Sequence, residues 1–341
     1  MKNYQVVFTA RSKVELQEVD VPQPGPGEFL AQTVVSQISI GTELTYLEGN
    51  VEPGSSWEKD IIFPRRPGYN NVAKIIAVGE GVSPDLIGKE IQSSQKHVKY
   101  FTMKEADQGT AFNFVPEGVE AKEAVFTTMG CIVMASMRMA QVRPGDVCVV
   151  YGAGVIGQMA ARLALVCGAA KVIACDMSDM RLEKLPKLPG LIAVNSGKCN
   201  IQEVVKEHND GRLADIVFET TSVGALAQQE LECLAPFGKL IITSSPKGRS
   251  TVDFDFCNRR CITVCGVHNV TYHRAGGTNA NRWTSPADKA LMLELMRQKR
   301  LTTAEMITHE VSFKEAVAMY DMLMKDRTQA LGVNLIWEDE E

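Results

Sequence analysis

The stretch from Val147 to Asp176 limits the fold of this chain more than any other. It opens Val-Cys-Val-Val-Tyr-Gly-Ala-Gly-Val-Ile-Gly, continues through small residues, and closes on Lys-Val-Ile-Ala-Cys-Asp. One apolar run, Val147 to Tyr151, enters a turn carrying Gly152, Gly154 and Gly157, and a second, Val172 to Cys175, ends in Asp176. Strand, glycine turn, small-residue helix, strand and terminal acid, in that order, form the βαβ pattern of dinucleotide binding. Gly152 permits the tight turn, Gly154 lets the backbone approach a pyrophosphate, and Gly157 lets the helix pack closely on the sheet. Val155, Ile156 and Gly157 open that helix, and its first N–H groups are free to meet an anion. Asp176 stands where a carboxylate accepts hydrogen bonds from ribose hydroxyls and repels a 2′-phosphate, which predicts NAD over NADP.

At 341 residues the chain exceeds what one compact core usually holds, so two domains are expected. A formal net charge of −5 provides no basic field for nucleic acid. No apolar run approaches the roughly 20 residues of a membrane helix, and Met1-Lys2-Asn3-Tyr4-Gln5 lacks the apolar core of a signal peptide, so a cytoplasmic location is expected. Nine cysteines without a framework fit a reducing compartment. Cys257, Cys261 and Cys265 recur every four residues, yet Cys261 to Cys265 reads as a strand and no second cluster completes a tetrahedral set. The acidic run Glu338 to Glu341 reads as a solvated tail.

Residues 1 to about 125 read as β-rich. Strands are expected over Tyr4 to Thr9, Val14 to Glu18, Phe29 to Gln37, Val72 to Gly81 and Ile87 to Ile91, with a helical start at Gly41-Thr42-Glu43-Leu44. A helix is expected from Lys122 to Gln141. Strands then alternate with helices through Val267, which means a parallel, doubly wound sheet and an α/β fold class. Helical periodicity returns over Ser285 to Gln298 and Phe313 to Lys325, and a strand over Ala330 to Ile336.

Several further pieces carry a resemblance: Pro24-Gly25-Pro26-Gly27-Glu28, Gly41-Thr42-Glu43, Pro67-Gly68-Tyr69-Asn70, Val78-Gly79-Glu80-Gly81-Val82, Gly88-Lys89 and Val142 to Asp146. With the fingerprint, and in this order, they make the chain similar to the medium-chain dehydrogenase/reductase superfamily, the zinc alcohol and polyol dehydrogenases. The resemblance implies a GroES-like catalytic domain over residues 1–128, a Rossmann NAD-binding domain over 129–267, and a return segment over 268–341 that completes the first. The family's catalytic zinc ligands do not carry over. Their positions hold Ile40, Tyr69 and Thr128, and the four cysteines of the structural zinc lobe are absent between Ile91 and Phe112. A rearranged site would have to draw on Cys131, His97 and Glu43, so a zinc-free enzyme with no metal ligands is the better expectation.

Without a metal, a side chain must handle the alcohol proton while hydride passes to the nicotinamide. Tyr69, in a former ligand position, is the first candidate, although its phenol, with an ordinary pKa near ~10, needs lowering to act as a base. Glu43 would orient it or be the base, Thr42 would bridge to solvent, and His97 is a further candidate. His268 and Asn269, after the last Rossmann strand, fall where relatives place the nicotinamide end, and their donors and acceptors suit a hydroxylated substrate. Arg65 and Arg66 read as a solvated pair or as a carboxylate or phosphate contact. The expected activity is NAD-dependent, zinc-independent hydride transfer with a secondary alcohol, such as a sugar, cyclitol or polyol. The alternatives are a zinc-free quinone or enone reductase and a non-catalytic nicotinamide-binding protein. In relatives the sheet edge corresponding to Ile262 to Val267 pairs across a two-fold axis, so a homodimer is expected.

Overall fold

A computed structural model describes residues 1–274, 276–278, 281 and 283–337; the acidic run from Glu338 lies outside the described residues. The chain forms two compact units, Met1–Thr128 with Ser285–Glu341, and Met129–Thr284. The return to the first unit begins at Ser285 rather than at 268. The intervening segment belongs to the second unit because His273 reaches Cys131 and Trp283 lies 3.3 Å beneath the Arg138 guanidinium.

In chain order the elements are β1 (Asn3–Ala10), β2 (Lys13–Val19), β3 (Glu28–Ile38), α1 (Ile40–Glu48), β4 (Asn71–Val78), β5 (Glu90–Ser93), β6 (Tyr100–Lys104), β7 (Phe112–Phe114), α2 (Ala121–Ala124) and α3 (Thr127–Ala140). The second unit continues with β8 (Val147–Tyr151), α4 (Val155–Val166), β9 (Lys171–Asp176), α5 (Asp179–Glu183), β10 (Leu191–Asn195), α6 (Ile201–His208), β11 (Ala214–Glu219), α7 (Ala227–Glu232), β12 (Leu234–Ile242), α8 (Phe254–Arg260), β13 (Thr263–Gly266) and α9 (Asn269–Arg274). The return supplies α10 (Ser285–Arg297), β14 (Ile307–Ser312), α11 (Ala316–Lys325) and β15 (Gly332–Ile336).

In the first unit β1 and β2 form an antiparallel hairpin, and a larger sheet runs β14-β15-β3-β4-β5-β7, with β6 also paired to β3. β3 takes partners from β15, β4 and β6. Its C-terminal end is also buried on both faces, polar Ser36 and Gln37 included, where simple alternation predicted a half-buried strand. The strand expected from Ile87 starts only at Glu90, because Pro84–Leu86 makes a short 3₁₀ turn and leaves Ile87 half exposed. Phe8, Leu44, Leu47, Tyr320 and Trp337 share one apolar core, in which Phe313 and Trp337 stack with centroids 4.8 Å apart. Each such buried side chain contributes roughly 1.5–3 kcal/mol of transfer free energy.

The second unit holds a six-stranded, wholly parallel sheet in the order β10-β9-β8-β11-β12-β13. Every residue of β8 is buried, as a strand covered on both faces requires. The strand order reverses between β8 and β11, and in open α/β sheets the crevice at the carboxyl ends of such a pair takes the ligand. This places the glycine turn after β8 at the switch point. No helix among the described residues is long and apolar enough to cross a membrane.

Candidate functional site

The glycine turn has the shape a dinucleotide needs. Gly152 has φ +96°, a left-handed conformation that favours glycine, and a Cβ there would sit 2.9 Å from Thr220 Oγ1. At Gly157 a Cβ would lie 1.8 Å from the Gly152 carbonyl oxygen, so a side chain is incompatible with the close approach of α4 to the turn. At Gly154 the space is open, with no atom within 4 Å of an added Cβ. Gly154 is also the residue that precedes α4, and no side chain caps the helix there. The N–H groups of Val155, Ile156 and Gly157 therefore face a cradle that a phosphate fits.

Asp176 closes the turn from β9. Its Oδ2 accepts the Ala153 N–H at 2.7 Å and its Oδ1 accepts the Ser178 N–H at 2.8 Å. Each carboxylate oxygen keeps a second lone pair for ribose hydroxyls. Arg181 Nη1 lies 3.8 Å from Oδ2, which tempers the repulsion Asp176 presents to a 2′-phosphate. Two residues missed in the sequence brace the turn. The Thr220 hydroxyl donates to the Tyr151 carbonyl at 2.6 Å and lies 3.1 Å from that of Gly152. Glu219 takes the N–H groups of Thr221 and Ser222 and the hydroxyls of Thr221 and Ser244, tying the carboxyl ends of β11 and β12 together. An acid ending a strand, followed by Thr-Thr-Ser, was the readable signal for both.

In the first unit the candidates Thr42, Glu43, Tyr69 and His97 do converge. Glu43 is buried at the start of α1, and its Oε1 reaches back to accept the Ser39 N–H at 2.9 Å, leaving the Ser39 hydroxyl for other work. Glu43 Oε2 faces His97 Nε2 at 3.2 Å and also accepts the Tyr320 hydroxyl. His97 Nδ1 meets Ser36 Oγ at 2.7 Å, and Ser36 Oγ accepts the Trp337 indole N–H at 2.8 Å. A carboxylate only accepts, so His97 donates from Nε2 to Glu43, and in the neutral ring with its proton there Nδ1 accepts from the Ser36 hydroxyl. Every polar atom of the His97 ring is thereby used in the interior. Burial, together with the Glu43 charge, pushes the Tyr320 phenol well above its ordinary value.

Tyr69 and Thr42 are the two candidates that retain partial exposure. Tyr69 Oη sits 2.5 Å from Ser39 Oγ and 3.4 Å from Thr42 Oγ1. Burial is the main cause that pushes its phenol up to about 12, against the lowering effect of those two hydroxyls and with a further rise from Glu43. The sequence reading required a lowered value for a basic Tyr69; the environment moves it the other way, so at neutral pH this group is a proton donor. Ser39, Ser36, Tyr320 and Trp337 were not singled out in the sequence. Nothing local marks them, since Tyr320 lies in a Met-rich helix that reads as core.

The three former ligand positions do not fit zinc. Ile40 packs against the apolar core, Thr128 accepts a hydrogen bond from Gln92 at 3.1 Å, and Tyr69 is committed to hydroxyl partners. One alkyl group and two hydroxyls do not make a zinc donor set. Among the described residues no group of three or more His, Cys, Asp or Glu is arranged to hold a metal ion. Cys131 faces His273 Nε2 at 4.0 Å instead of joining such a set. In the second unit, His268 is exposed and bonds Thr271, and Asn269 begins α9 with its Oδ1 buried and without a partner among the described residues.

A parallel sheet with a phosphate-ready glycine turn at its switch point, joined to a β-rich unit completed by the C-terminal segment, defines a two-unit dinucleotide-fold protein. Residues 155–281 match the zinc-binding dehydrogenase family model. An alcohol dehydrogenase from Moraxella sp. is 28% identical over 74% of this chain and 80% of its own length. A putative D-xylulose reductase from Agrobacterium fabrum is 25% identical over 66% of this chain, and the match spans 61% of that relative's length, less than two thirds of it. An Escherichia coli oxidoreductase/dehydrogenase of unknown specificity superposes with a TM-score of 0.82 at 17% identity, covering 99% of this chain and 100% of its own. The family match lies within the second unit, and over most of its length the chain is similar to alcohol and polyol dehydrogenases.

Proposed function

We propose that this protein is an NAD-dependent, zinc-independent oxidoreductase that interconverts a secondary alcohol, on a sugar, cyclitol or other polyol, and its carbonyl. The observation that carries the reading is the turn itself: a closed approach at Gly157, an open cradle at Gly154 and an acid at Asp176. The names of the Moraxella and Agrobacterium relatives support alcohol and polyol chemistry.

A bound nicotinamide dinucleotide supplies or accepts the hydride. Gly152, Gly154 and the first N–H groups of α4 would hold its pyrophosphate, and Asp176 would accept from the ribose hydroxyls. In the direction of carbonyl reduction, hydride addition leaves an oxyanion that needs one proton. Within the first unit the Tyr69 phenol is the group suited to give such a proton: it is protonated at neutral pH, burial raises it further, and it can recover a proton through Ser39 Oγ or Thr42 Oγ1. Glu43 and His97 hold the start of α1, and with it Ser39 and Thr42, in place.

The test is an NAD-reduction assay across polyols, inositols and glycosides, with and without a chelator, alongside metal analysis. Turnover of an alcohol that survives chelation, with substoichiometric zinc, supports the proposal. NAD(P)H consumption on quinones or enones alone would move the activity to C=C reduction. Saturable NADH binding with no turnover of any class would leave only a nicotinamide-binding protein, and one tightly bound zinc lost together with activity would overturn zinc independence.

A further inference from the structure

The first unit carries a surface groove of about 810 Å³, within the usual range for small-ligand sites, in a place none of the chemistry above uses. Its floor is one face of the β1–β2 hairpin. Asn3, Gln5 and Thr9 alternate along β1, so they share a face, and the pairing register sets Gln5 opposite Gln17. Two opposed amides and the Thr9 oxygen place donors and acceptors on one face, although the Thr9 hydroxyl proton and one N–H of Gln17 are already given to Glu15.

The other edge of β1 determines the charge. There Gln5 bridges to Val98 and Phe8 to Arg65, both antiparallel, and the His97 N–H bonds the Pro67 carbonyl. These registers bring Arg66 and Lys96 together beside Val7, and both line the groove. Neither charged group has a hydrogen bond or ion pair among the described residues. The nearest acid on the hairpin face, Glu15, opposite Val7, gives its two oxygens to Thr9 Oγ1 and Gln17 Nε2 instead. Asp20, the acid that lines the groove, sits by Asn3 at the far end. Partial burial holds the Lys96 ammonium below its ordinary value; Glu43 pulls against this, and Arg65 and Arg66 add to it. Two cations gathered at one end of a polar groove, against the single carboxylate of Glu15 on the adjoining hairpin face, give that end a positive field that attracts an oxyanion.

We propose that this groove binds an acidic carbohydrate: its phosphate or carboxylate lies between Arg66 and Lys96, and its hydroxyls bond the Gln5–Gln17 amide pair. The inference does not depend on the dehydrogenase reading, because binding is measured without cofactor or turnover.

Calorimetric titrations of the full chain with gluconate, glucose 6-phosphate, glucose and inorganic phosphate test it, in wild type, Arg66→Gln/Lys96→Gln, Gln17→Ala and a distant control, Lys206→Gln. At least one of the two acidic sugars should bind tenfold or more tighter than glucose, and which one does so identifies carboxylate or phosphate as the preferred oxyanion. The double variant should lose that tenfold, Gln17→Ala should weaken the acidic sugar but not inorganic phosphate, and Lys206→Gln should match wild type. Melting temperature and NADH affinity should be unchanged in all variants. Equal binding of glucose and the acidic sugars, or acidic-sugar binding untouched in the double variant, overturns the proposal. Inorganic phosphate binding as tightly as glucose 6-phosphate, if gluconate binds no tighter than glucose, overturns it as well.

Discussion

Two side chains show how burial favours the protonated form in this molecule. Tyr69 is protonated at neutral pH even at its ordinary value of ~10, and burial raises it further, so Tyr69→Phe removes a donor and no charge. Activity in the reduction direction should fall by roughly 10²- to 10⁴-fold, with the NADH dissociation constant unchanged in the same preparation. An unimpaired phenylalanine variant would transfer the proton to another group. Glu230 is the second case. It is fully buried on α7, neither carboxyl oxygen has a partner among the described residues, and burial, helped by the Glu219 charge, pushes it up to about 8. The folded state therefore holds a proton that the unfolded chain releases above its ordinary value of 4.5. The unfolded state binds fewer protons through that window, so stability falls as pH rises from 4.5 toward 8, by up to about 1.4 kcal/mol per pH unit. Glu230→Gln keeps the shape without the acid. Its melting temperature should draw ahead of wild type progressively from pH 5 to 8, and a gap that stays constant with pH would refute the assignment.

Among the elements, β8, α4 and β9 were legible because their whole logic is local: apolar runs, three glycines and an acid in one continuous stretch. The glycines also separate two kinds of constraint. Gly154→Ala places a methyl in open space at an ordinary φ of −67°, so the free protein should melt within about 2 °C of wild type. The same methyl enters the phosphate cradle, and NADH affinity should drop at least tenfold, about 1.4 kcal/mol. Gly157→Ala, by contrast, should damage the fold as well. Asp176→Ala should weaken NADH and narrow its advantage over NADPH; equal affinity for the two in wild type would show that Arg181 outweighs Asp176. Other elements were not legible. β14 runs Ile-Thr-His-Glu-Val-Ser and alternates poorly, because an edge strand paired only to β15 buries little of either face. α8 owes its start to the Asp253 cap and shows exposed Phe254, so it lacks an apolar stripe. The His97 network was hidden for a different reason. Its partners at 36, 43, 320 and 337 meet only when β15 and α11 return to the first unit, and no spacing rule reports contacts of that range.

For the molecule as a whole, the open question of structure is the edge of the six-stranded sheet. β13 is the last strand in its order, paired on one side to β12, and Thr263, Val264 and Gly266 are exposed. A bare edge of this kind presents unpaired N–H and C=O groups that recruit another strand, and a two-fold axis satisfies both copies at once without propagating. The strand carries neither proline nor lysine to blunt it, and Val264 adds an apolar side chain that is 41% exposed. We therefore expect a homodimer, seen by light scattering at micromolar concentration as twice the chain mass. Val264→Lys sets a charge on each of two facing edges and should shift the population toward monomer, while NADH binding, proposed for the turn after β8, should stay intact. A wild-type monomer at that concentration would mean the edge stays open in solution, and a Val264→Lys protein that remains dimeric would place the interface on another surface.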